Sequence, residues 1–137
     1  MRTRTSVAIA LACTAAVALP PAAVEAAAEP GPWKGRATSK DGTFKYGKVT
    51  FRVRGKTIRN LKIESVTVGG CGGLGMKSII VPKLTISGKR FRGVYKPVPD
   101  VDDTIIVTGT ISGGRARGTF TEGPLCSAEG KFTARAA

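Results

Sequence analysis

Residues 48–68 read KVTFRVRGKTIRNLKIESVTV, and the way their apolar side chains recur decides the fold. Val49, Phe51 and Val53 alternate with Thr50, Arg52 and Arg54, which is the period of a half-buried strand. Gly55 then punctuates the chain and a second run begins at Thr57. In that run the alternation slips between Ile58 and Leu61, and again between Ile63 and Val66. A bulge or strong bend at each slip keeps the apolar side chains on one face, so the stretch is expected to be an antiparallel hairpin whose second strand is kinked twice.

Working outward, the same rhythm recurs in LTISGKRFRGVY, TIIVTGTISGGRARGTF and GKFTARA, and no stretch after residue 28 combines helical spacing with a cap. Turn signals fall at KDGT (40–43), RGK (54–56), SGKR (87–90) and SGGR (112–115), each placing glycine where a tight reversal needs positive φ. The runs predict strands at Trp33–Ser39, Lys48–Val53, Thr57–Val68, Ile79–Val81, Leu84–Ser87, Phe91–Lys96, Thr104–Ile111 and Arg115–Glu122, with Lys131–Arg135 closing the chain. The fold class is therefore all-β, an antiparallel meander of about eight short strands. A small closed barrel and a two-layer sandwich both bury its faces and edges. Parity sends Phe51, Phe91, Phe120 and Phe132 inward. Arg52, Arg90, Arg92, Arg117, Lys131 and Arg135 then fall on the outer wall or at turns, so the charge belongs to the wall and to no pocket.

The first 28 residues have a different character. Arg2 and Arg4 precede an apolar run from Val7 to Leu19, followed by prolines and small residues, the order of a secretory signal. The run falls short of the roughly 20 residues that span a bilayer. Cleavage near Ala26 to Ala28 is expected, giving residues 1–28 as signal peptide and 29–137 as one secreted domain with no transmembrane segment. A competing reading makes Cys13 a lipid-attachment site, but the apolar run continues past it where a lipoprotein signal would end. Removing residues 1–28 takes away Arg2, Arg4 and Glu25, leaving 109 residues with 20 Lys and Arg against 8 Asp and Glu, a net charge of +12. A surface so basic attracts polyanions, although high charge also serves solubility alone.

Export leaves Cys71 and Cys126 as an even pair in an oxidising compartment, and a disulfide between them is expected. With the two cysteines 55 positions apart, the chain-entropy model puts the stabilisation at about 4 kcal/mol.

Sites for chemistry are few. GGCGGLGMKS (69–78) nearly spells a phosphate-binding loop, but Met76 breaks the spacing and IIVPK follows, where a helix would have to start. The dinucleotide fingerprint in the same glycines fails for the same reason, so no nucleotide is expected and the loop reads as a sharp turn. The sequence contains no histidine, which removes the usual triads and completes no metal site with two thiols. Asp100, Asp102 and Asp103 in PDVDDT offer carboxylates to calcium. The remaining ligands of a calcium loop are missing, and a solvated turn is the preferred reading. Trp33, Tyr46 and Tyr95 are the aromatics available for stacking on a ligand, with Trp33 better placed to plug one end of a barrel. No cofactor, metal or catalytic residue is assigned.

The segments WKGRATS (33–39), VTFRVRGKTIRNL (49–61), ISGKRFRG (86–93) and VTGTISGGRARGT (107–119), with Cys71 and the late Cys126, resemble a group of small secreted β-proteins of actinobacteria. The resemblance spans nearly all of the domain and implies the fold, the export and the two-cysteine bridge, but no activity. The expectation is a secreted, monomeric, non-enzymatic β-module associating electrostatically with anionic envelope or extracellular polymers. The alternative is a protein-binding effector such as a hydrolase inhibitor, making contact through Gly72 to Lys77 or Leu125.

Overall fold

A computed structural model describes residues 27–70, 73 and 75–137. The described chain is all-β: β1 (Gly31–Thr38), β2 (Lys45–Arg54), β3 (Thr57–Val68), β4 (Gly75–Ser87), β5 (Arg90–Tyr95), β6 (Asp103–Ser112), β7 (Arg115–Pro124) and β8 (Ala128–Ala136). Each strand pairs antiparallel with the next, and β8 returns to β1, so the meander closes into a barrel and not a sandwich. The predicted runs Ile79–Val81 and Leu84–Ser87 form the single strand β4. Its ladder with β3 runs from Arg59–Lys83 to Leu61–Val81, passing over Pro82, which has no N–H to give, and Asn60 opposite it.

Both expected slips in β3 are present. Asn60 and Ser65 take φ of 54° and 56°, the β2–β3 register shifts between Thr50 and Arg52, and the β3–β4 register shifts between Ile63 and Val66. The result is that Ile58, Leu61, Ile63, Val66 and Val68 are all buried on one face of a strand that simple alternation would have turned inside out. The turn glycines behave as their positions require, with φ of 59° at Gly55 and 55° at Gly113.

The barrel is filled by its own side chains, as expected for eight strands. Trp33 is fully buried and stacks on Phe51 with ring centroids 5.4 Å apart, while its Nε1 donates to the Glu29 carbonyl at 2.9 Å. It closes one end, where the Glu29 N–H also donates to Gly113 O. Elsewhere rings lie over glycines of neighbouring strands. A Cβ at Gly109 would meet Phe91 at 2.3 Å, one at Gly118 would meet Phe132 at 2.7 Å, and one at Gly130 would meet Phe120 at 2.5 Å. These rings fill the interior in the space that the glycines leave. No helix among the described residues is long and apolar enough to cross a membrane. The outer wall carries arginine and lysine, the inverse of the apolar band of a lipid-facing barrel.

Candidate anion-binding groove

The ladders from β5 round to β1 decide where the cations stand. Residues directly opposite across a ladder share a face, so an unbroken register stacks outward side chains into rows perpendicular to the strands. One row runs Lys34–Arg135–Arg115–Ser112 across β1, β8, β7 and β6. A second runs Arg36–Thr133–Arg117–Thr110–Arg90 across β1, β8, β7, β6 and β5. Between them lies the row Gly35–Ala134–Ala116–Ile111, in which Ala134, Ala116 and Ile111 bury their side chains in the barrel and the backbone is left as a floor.

The two rows and this floor enclose an open groove of about 1290 Å³. Seven lysines and arginines line it, the six in the rows and Lys89 from the β4–β5 turn, and no Asp or Glu does. A smaller recess of about 560 Å³ continues it past Arg36 and Arg117 to Thr119 and Lys131. The wall placement of the charge is as the parity argument expected, but the wall is furrowed, and the cations collect in a concavity that the sequence reading did not foresee.

The floor depends on Gly35, where a Cβ would lie 1.8 Å from Thr133 O and 2.6 Å from the Ala134 Cα. No side chain fits there, because β8 crosses β1 at backbone contact. In the first row Lys34, Arg135 and Arg115 stand directly opposite one another on adjacent strands. Like charges so placed destabilise a sheet, and no Asp or Glu lines the groove, although the Glu29 carboxylate lies beside Gly114 at the end of this row.

The other concentration of charge is interior. Lys77, Asp103 and Glu122 all share the parity of inward neighbours: Ile79 for Lys77, Ile105 for Asp103 and Phe120 for Glu122. The Glu122 side chain is fully buried, its Oε2 is 2.6 Å from Lys77 Nζ, and Lys77 keeps 33% of its side chain exposed. Neither Glu122 oxygen has a well-aligned hydrogen bond among the described residues, where Lys77 is its ion-pair partner. Asp103 is buried and its Oδ1 accepts the Cys126 N–H at 3.1 Å. The Asp103 and Glu122 carboxylates and the Cys126 Sγ lie within 4.8 Å of one another. Asp103 is therefore no part of a solvated turn, as it was expected to be. Asp100 and Asp102 are exposed, and the three do not form a calcium loop. Strand parity was the signal that would have placed all three charged residues inside.

The remaining candidates separate in the same way. Trp33 is buried, and Tyr46 and Tyr95 pack against the core as half-buried residues. The Tyr46 hydroxyl donates to Glu129 O at 3.2 Å, and burial, then Asp41 and Glu129, push its pKa up. Lys77 and Ser78 lie in β4, so no helix starts where a phosphate loop would need one. Cys126 is buried, whereas Cys13, Cys71 and Gly72 lie outside the described residues. No protein-family model, no curated protein and no solved structure matches the chain.

Proposed function

We propose that the protein is an exported, non-enzymatic binding module that holds anionic extracellular or envelope polymers in the β1–β8–β7–β6 groove. One observation carries the reading: seven cations line a single concavity that no acid lines, three of them opposed at a cost to the sheet. An anionic chain laid on the floor relieves that repulsion, so binding and stability are linked. The interior acids do not argue for catalysis, since the fully buried Glu122 side chain is held by Lys77.

The Cys71–Cys126 disulfide belongs to the same proposal. What supports it is the pairing of Gly69 with Ser127, through N–H to O contacts of 2.9 and 2.7 Å, and the approach of Gly70 to Leu125 O. These contacts tie the chain just before Cys71 to both neighbours of Cys126.

The test is a salt titration of heparin, teichoic acid or DNA binding. With five or so phosphate or sulfate contacts, affinity falls about 100-fold between 50 and 200 mM salt. Arg117→Glu with Arg90→Glu removes binding to all three. Affinity that ignores salt, or survives both substitutions, refutes the groove. A second reading, a protein-binding effector, is favoured by exposed Met76 and Leu125 at the loop-bearing end. A stable stoichiometric complex with an extracellular protease, lost on Met76→Asp with Leu125→Asp, would establish it.

A further inference from the structure

Resting on the groove reading, we infer that the occupant is an acidic polysaccharide, a single sugar chain bearing an oxyanion on about every second ring, and not a nucleic acid. Three features of the groove point there. The first is width. The two cationic rows sit two residues apart along each strand, about 7 Å, which admits one extended chain between them and not a duplex.

The second feature is spacing. In the row Arg36–Thr133–Arg117–Thr110–Arg90 the arginines stand on alternate strands, their backbone positions about 10 Å apart, with a threonine between each pair. That period is comparable with two linked sugar rings. A nucleic-acid strand instead carries a phosphate on every nucleotide, at a rise of ~3.4 Å along one strand of a duplex, and so has no matching two-unit period. Each arginine offers a planar fork to a sulfate, phosphate or carboxylate, and each intervening hydroxyl offers a partner to a sugar hydroxyl.

The third feature is the lining itself. Proteins that hold single-stranded nucleic acid combine a basic groove with aromatic platforms on which bases stack. The lining of the main groove comprises cations, hydroxyls and aliphatic residues with no aromatic side chain, and the one ring lining the adjoining recess, Phe132, is buried. Trp33 is buried in the barrel and offers no such platform. The groove grips a charged backbone edgewise and has no surface on which to read a base.

The experiment titrates residues 29–137 at 150 mM salt against labelled oligosaccharides of equal length, one sulfated, one phosphorylated and one carrying uronates alone, and against an oligothymidylate of equal charge. The expected result is that at least one of the glycans binds tenfold or more tighter than the oligothymidylate, and the ranking of the three identifies the oxyanion. The double substitution Thr110→Val with Thr133→Val should then lower affinity for that glycan about fivefold, the loss of two hydrogen bonds. Oligothymidylate binding as tight as every glycan, or a glycan affinity unmoved by the valines, overturns the inference. Arg117→Glu separates the two levels of the claim. If it weakens all ligands, the groove stands whatever the ranking. If it weakens none, the groove reading itself has failed.

Discussion

From β5 round to β1 the ladders run unbroken, whereas from β1 to β4 every ladder slips once: between Arg36 and Thr38, between Thr50 and Arg52, and between Ile63 and Val66. Both sides are basic, but only the unbroken side aligns its charges. With constant register an outward arginine keeps the same neighbours across five strands, and rows form. On the bulged side each slip offsets the next strand by a residue. There Arg52 faces Arg59 across one ladder, and Lys62 is 3.5 Å from Glu64. Bulges serve the core there, and regularity serves the surface on the other side.

The largest expected difference between the two sides lies at their glycines. Gly35→Ala on the regular side drives a Cβ into β8 backbone and should cost about 3 kcal/mol or more, a fall in Tm of at least 10 °C. Gly75→Ala in β4, where nothing lies within 4 Å of the added atom, should leave Tm nearly unchanged. Equal effects would show that the close approach of β1 and β8 is not real.

Next in size is the interior pair. Lys77→Met strands the buried Glu122 carboxylate near Asp103 and should cost about 2 kcal/mol, somewhat less than a fully buried pair because Lys77 is one-third exposed. Lys77→Met with Glu122→Met should recover most of the loss. Denaturant unfolding of the single and double variants decides it, and a double variant as unstable as the single would contradict the pairing.

Smaller again, Arg135→Thr removes the middle of three opposed cations. It should raise stability by about 0.5 kcal/mol while weakening anion binding, an opposition that a merely solubilising charge would not produce.

The smallest effect lies in the β1–β2 turn. The Ser39 hydroxyl and the Thr43 backbone N–H donate to Asp41, and these bonds lower its pKa to about 2 from 3.8. A carboxylate with a depressed pKa adds stability that is present above its unfolded value and lost as pH falls, here between about 3.8 and about 2. Asp41→Asn should flatten that part of the stability profile, followed by thermal melts from pH 5 to pH 2.

How much of this was legible in the sequence follows from which physics is local. Alternation and turn glycines placed the strands, and the double slip at Ile58–Leu61 and Ile63–Val66 foretold both bulges, because each depends only on neighbours along the chain. Pro82 misled, since a proline inside a strand looks like a break until its ladder partner is known to be Asn60 in a left-handed conformation. The groove was not legible because rows form between strands, and register across five ladders is set by closure of the whole barrel. The Lys77–Glu122 pair was half legible: parity puts both inside, but only the barrel's end brings β4 and β7 within reach of each other.

Outward arginines aligned over an unbroken set of ladders make the groove. The most direct measurement is a backbone amide chemical-shift map as a sulfated oligosaccharide is added. Shifts should concentrate at Lys34 to Arg36, Arg115 to Arg117 and Thr133 to Arg135, with β2 and β3 silent. Shifts spread evenly over the basic surface, or centred on Arg52 and Arg59, would contradict it.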